Sequence, residues 1–211
     1  MHRALALAVC ILGCGLSAFA VDGVVLINQN SATVGLGGCD TPGFPITICV
    51  SGSYRLSGNL IVPSALGVVA IEIRVPNVTL DLNGFSITTV ANTFGTAVNY
   101  TGPTPGRITI ENGTIFGFVS PYFDGSGSDN SIPPNIINGG QSVLKDLILV
   151  VGIVGGSSSM ELGAQTRIVN VSAPDFTINV ACPTLITNSV ANALQTFGGS
   201  GCAFVGNATA H

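Results

Sequence analysis

The segment Val75–Ile87 alternates strictly: Val78, Leu80 and Leu82 share one parity and Thr79 and Asp81 the other, until Asn83-Gly84 turns the chain and Phe85 and Ile87 resume the pattern. Apolar and polar residues at period two, broken by a turn dipeptide, encode two short half-buried strands around a corner. The phrase returns at Ile108–Ile115, Val143–Leu149, Arg167–Ser172, Leu185–Val190 and Ala203–Ala208. A polar residue stands at the corner of each copy: Asn83, Asn112, Asp146, Asn170, Asn188 and Asn207. The intervals between them contract towards roughly 20 residues, and the longer ones hold Gly/Ser/Pro-rich excursions such as 125–134. No helical periodicity intervenes.

A repeat of that length belongs to stacked architectures, because one unit cannot bury its apolar face alone. A leucine-rich repeat requires denser leucine, and a propeller blade about twice the length. The pattern therefore predicts an all-β parallel β-helix, a solenoid in which each strand lies about 4.8 Å from its equivalent in the next coil. Inward Val, Ile, Leu and Phe then form ladders, and the corner amides form a ladder of their own.

Composition agrees. Of 211 residues only 8% are charged, against roughly 25% in ordinary soluble domains, and 28 glycines join Asn, Ser and Thr at the polar positions. Long Lys/Glu-rich helices are missing, and the length suits one domain with a sizeable core. Net charge is −4 with six basic residues, which argues against a nucleic-acid partner and against polybasic membrane contact.

Met1-His2-Arg3, the apolar run Ala4–Leu16 and Ala18-Phe19-Ala20 have the three parts of a secretory signal, so residues 1–20 are expected to be cleaved and Val21 to begin the mature chain. The run is too short for a membrane span. Ile11-Leu12-Gly13-Cys14 offers an alternative, a lipobox that makes Cys14 a lipidated terminus. Localisation is then secreted, periplasmic or lipid-anchored. Residues 21–45 are expected to cap a solenoid formed by 46–211. Four cysteines remain, Cys39, Cys49, Cys182 and Cys202, an even number that favours disulfides in an exported chain. Sequence proximity suggests Cys39–Cys49 and Cys182–Cys202 among the three possible pairings, and the spacing does not suit a zinc knuckle.

The segments Gly52–Leu60, Ile71-Glu72-Ile73, Asn77–Gly84 and Ile108–Ile115 resemble the secreted bacterial right-handed parallel β-helix proteins of the pectin-lyase-like superfamily. The resemblance covers about residues 46–210. It implies a right-handed coil of six or seven turns and, as activities, polysaccharide lyases, glycoside hydrolases, epimerases and proteins without assigned chemistry. Fold alone does not choose among these.

Residues that could carry such chemistry are few. Lyases of this fold use clustered aspartates for calcium and a basic residue as base, yet no Asp-x-Asp or Asp-Asp cluster is present and no metal site is expected. Arg107 and Arg167 each precede or open a strand, and the plainer reading of both is a solvated edge charge. Glycoside hydrolysis needs two carboxyl groups at a set separation. Asp81 and Glu111 occupy equivalent places in consecutive copies and could stack on one outer face. Asp81, Glu111 and Arg107 are thus the catalytic candidates. Tyr122, Phe123 and Asp124, in an expected loop over 119–131 that also holds Asp129, are candidate ligand contacts. His2 and His211 leave no histidine in the body for acid–base work. No cofactor motif is found. The expected function is an exported structural or glycan-binding β-helix protein. The alternatives are a polysaccharide lyase or glycoside hydrolase, and a surface adhesin. An unshielded final coil would expose a strand edge and favour homo-oligomers.

Overall fold

The computed structural model describes residues 23–63, 68–103, 106–123, 141–150, 158–162, 165–197, 200–206 and 208–209. In chain order its elements are β1 (Val24–Ile27), the helix α1 (Gln29–Val34), β2 (Ile46–Ile48), β3 (Gly52–Leu56), β4 (Leu60–Val62), β5 (Val69–Ile73), β6 (Val78–Asp81), β7 (Ser86–Tyr100), β8 (Ile108–Phe123), β9 (Val143–Val150), β10 (Ser158–Leu162), β11 (Arg167–Ala181), β12 (Leu185–Thr187), β13 (Val190–Phe197), β14 (Ala203–Val205) and β15 (Ala208–Thr209). Fifteen strands form one sheet, and every pairing among the described residues is parallel.

The pairings fall into three ladders. The first runs β1–β3–β6–β8–β9–β11–β12–β14. The second runs β4–β7–β8–β9–β11–β13–β15. The third runs β2–β5–β7–β8–β10–β11–β13. Long strands such as β8 and β11 contribute to all three, one portion after another.

Register follows the alternation read from the sequence. In the first ladder Tyr54, Leu80, Ile110, Leu144, Ile168 and Ile186 succeed one another and are all buried. Leu60, Ile87, Ile115 and Leu149 do the same in the second, and Ile46, Ile71 and Val98 in the third. Each fully buried side chain of this size stabilises the fold by about 1.5–3 kcal/mol before entropy is counted. A one-residue slip would turn a whole column outward, so the alternation also pins the register.

The polar corners have a local cause. Asn83, Asn112, Asp146, Asn170 and Asn188 have φ between 50° and 61°, the left-handed region that Asn and Asp tolerate best after glycine. Asn207 lies outside the described residues, and Gly206, with φ 62°, follows Val205 where Asn188 follows Thr187. A Cβ on Gly206 would come 2.8 Å from Asn188 Oδ1. The expected ladder from corner side chain to corner side chain forms between Asn170 and Asp146, while Asn112 and Asn83 find other partners. Asn112 Nδ2 donates to Asp81 Oδ1 at 3.2 Å and Asn170 Nδ2 to Asp146 Oδ1 at 2.9 Å, while Asn83 Nδ2 donates to the Leu56 carbonyl at 3.2 Å. Amides donate to carboxylates and backbone carbonyls. Asn83 is displaced because residues 82–85 separate Asp81 from Ser86 where only 112–113 separate Glu111 from Thr114. That longer turn crowds Gly113, whose Cβ would sit 2.3 Å from Leu82 Cβ.

Residues 23–45, expected as a capping segment, divide. β1 joins the first ladder, bringing it to eight strands, seven of them from residues 46–211. The α1 segment and the loop behind it serve the edges of the other two ladders. Gln29 Nε2 donates to the Ile61 carbonyl at 3.1 Å and Gln29 Oε1 accepts from Ile61 N–H at 2.8 Å, so one side-chain amide meets β4 as a neighbouring peptide would. Asp40 Oδ1 accepts from Thr47 N–H of β2 at 2.8 Å and Oδ2 from Leu36 N–H at 2.7 Å. Asn28 caps α1, accepting from Asn30 and Ser31 N–H. Both disulfides form as sequence proximity suggested, Cys39–Cys49 with Cα atoms 6.1 Å apart and Cys182–Cys202 at 5.1 Å. They fit an oxidising, extracytoplasmic environment. Among the described residues no helix is long and apolar enough to cross a membrane.

Candidate functional site: a charged column on the first ladder

The residue after each buried one in the first ladder points outward, and in four successive strands it is charged. Arg55, Asp81, Glu111 and Lys145 lie in one in-register column. Asp81 and Glu111 are thus brought together as the spacing suggested. Each carboxylate, however, has a cation on its far side. Arg55 Nε lies 3.0 Å from Asp81 Oδ2, and Lys145 Nζ lies 3.6 Å from Glu111 Oε2 and 3.2 Å from Asp146 Oδ2. The column reads plus, minus, minus, plus.

Both oxygens of Asp81 are engaged, since Oδ1 also accepts from Asn83 N–H at 2.8 Å and from Asn112 Nδ2. Burial pushes the Asp81 carboxyl upward, but the hydrogen bonds from Asn83, Asn112 and Arg55, together with the Arg55 charge, outweigh it and hold the pKa below the ordinary aspartate value. Asp146 is lowered too, first by the Asn170 amide and then by Lys145. Lys145 is raised by Asp146, with Glu111 adding to the effect. A general acid at neutral pH requires a raised carboxyl, so the environment of Asp81 favours an ionised, fixed charge.

Arg107 is not part of this column. It precedes β8 at a second left-handed corner, φ 48°, in step with Asn77 at φ 59°. Arg107 Nε donates to Gln141 Oε1 at 3.0 Å, and Gln141 Nε2 to Gln165 Oε1 at 2.8 Å, a separate polar row at the entrance to the first ladder. The cations beside the carboxylates are Arg55 and Lys145 instead. Their signal was present in the sequence, since each follows an inward residue of the phrase, as Asp81 follows Leu80. The unequal excursions hid which residues share a column.

Tyr122 and Phe123 do not lie in a loop. β8 continues through them, pairing Val98 with Tyr122 and Asn99 with Phe123, and Phe123 with Glu161 of β10. The Gly/Ser-rich composition that follows made the boundary look earlier than it is. Asp124 and Asp129 lie outside the described residues, as do residues 1–20, Cys14 among them, and His211. Among the described residues no group of three His, Cys, Asp or Glu side chains is placed to hold a metal ion.

Comparison with protein-family models, with curated proteins and with solved structures finds no match. The family resemblance therefore rests on the motifs quoted above.

Proposed function

We propose that the chain is an exported right-handed parallel β-helix protein of structural or glycan-binding type, with residues 1–20 acting as its secretory signal. In support of the solenoid, the chain starts in the first ladder and returns to it seven times, passing from β3 onward through the other two in turn, always parallel. Export is supported by the two disulfides and by the leader-like N-terminus. The observation that carries the functional reading is the neutralised column: the stacked acids Asp81 and Glu111 are each matched by a cation, and Asp81 has no oxygen left unengaged. Such groups hold rungs together and set a surface potential more readily than they move protons.

The second reading is a polysaccharide lyase or glycoside hydrolase, favoured by one feature, the adjacency of Asp81 and Glu111 on an outer face. The purified mature protein, incubated with acidic and neutral polysaccharides with and without calcium, separates the two. Retention on a glycan without unsaturated products or new reducing ends is expected. Turnover abolished by Asp81→Ala would establish the enzyme.

A further inference from the structure

The outer surface of the second ladder differs from that of the first. No residue of β4, of β9 beyond Asp146, or of the second-ladder portions of β7, β8, β11 and β13 carries a charge. Four large apolar side chains face solvent there: Ile61 (55% exposed), Phe116 (42%), Ile148 (52%) and Val190 (37%). Hydroxyls lie between them in register. Ile61 is followed by Thr88 and Phe116, and Thr114 by Ile148, Ser172 and Val190. Phe116 and Ile148 lie on neighbouring strands, and with Ile61, Val190 and the hydroxyls between them they make a mixed face of apolar and hydroxyl groups.

The chemistry narrows the occupant. The face is about 30 Å long and about 10 Å wide at standard strand spacings, roughly 300 Å². A stable pairing with a second copy needs about 800 Å² per partner. An extended peptide seeks unpaired backbone at a sheet edge, whereas the backbone here is spent within the ladder. A polyanion or polycation finds no counter-charge. What remains is a neutral molecule that is long, repeats along the ladder axis, and presents both C–H faces and hydroxyls. We infer that this face binds an uncharged polysaccharide lying across the strands, with Phe116 against a sugar ring and Ile61, Ile148 and Val190 against neighbouring C–H surfaces. Thr114 and Ser172 supply hydroxyls at the rung repeat, and Thr88, whose hydroxyl donates to the Leu60 carbonyl at 3.3 Å, supplies an acceptor. The inference rests on the glycan-binding reading above and names the ligand class and the face.

The test uses the full chain and three probes: microcrystalline cellulose, soluble neutral mannan and polygalacturonate. Phe116→Ala and Ile148→Lys alter exposed side chains, and circular dichroism checks that each variant folds. The expected result is binding to at least one neutral probe, weakened about tenfold by either substitution and unaffected by Arg167→Ala. Neutral binding that both variants retain would place the ligand elsewhere, overturning this inference while sparing the glycan-binding reading. Binding to polygalacturonate alone, lost with Lys145→Ala, would overturn it in favour of the charged column. Self-association lost in Ile148→Lys would give the face to a second copy and overturn it too. Failure to bind any glycan would remove the reading on which it rests.

Discussion

At the amino-terminal end of the sheet, Gln29 and Asp40 close the edges of β4 and β2 with side-chain atoms, α1 is capped by Asn28, and Cys39–Cys49 ties the segment down. At the carboxyl-terminal end, β12 and β14 have three residues each and β15 two, Phe204 and Val205 of β14 face solvent, and Cys182–Cys202 joins neighbouring rungs. Both ends are built from short parallel strands. The edge strands are short at both ends, β2 and β4 also having three residues, and each end carries a disulfide; what differs among the described residues is that Gln29 and Asp40 offer side-chain atoms where a missing strand would pair. A strand inside a parallel stack is stabilised by neighbours on both sides, so an edge strand has half that support and gains from a side-chain cap or a disulfide.

The comparison can be broken most severely at the disulfides. Replacing Cys182 and Cys202 by Ser should cost about 3 kcal/mol in urea unfolding, and replacing Cys39 and Cys49 slightly less, because the loops closed span 20 and 10 residues. If the second pair proved much the more costly, the N-terminal segment would be the staple of the whole stack. Next in size, Asp40→Ala leaves Thr47 and Leu36 N–H without their charged acceptor, for a loss of about 2 kcal/mol. Gln29→Ala should cost about 1 kcal/mol, less because the pair with Ile61 is reached by water. Phe204→Thr, at the end without such a device among the described residues, should change stability by under about 0.5 kcal/mol. Hydrogen exchange sharpens the same contrast: amides of β12 and β14 should open at lower free energy than those of β2 and β4. Uniform protection from end to end would contradict it.

A smaller effect concerns the middle of the sheet. The folded-state pKa values of Asp81 and Asp146 lie below their ordinary values, so the stability they contribute is present above the ordinary aspartate range and is lost as pH falls through the folded values. Unfolding midpoints measured from neutral pH down to about pH 3 should decline, and Asp81→Asn should flatten that decline. An unchanged acid limb in the variant would show that the ionisation of Asp81 contributes nothing to the fold.

Much of this architecture was legible in the chain. Alternation at Val78–Leu82 and Ile108–Ile110 encodes which face is buried, because a strand's side chains point to opposite sides whatever it pairs with. Asn and Asp at five described corners encode a left-handed backbone, because that preference belongs to the residue itself. Cysteine proximity suggested both disulfides. The boundary of β8, the place of Arg107 and the partners of Asp81 and Glu111 were not legible. Those depend on which residues of distant rungs share a column, and rungs of 18 to 34 residues with unequal turns, such as 82–85 against 112–113, carry no local mark of alignment. Only packing of the buried columns settles that register. It set Arg55 and Lys145 at either side of the two acids and left the second ladder's outer face without charge.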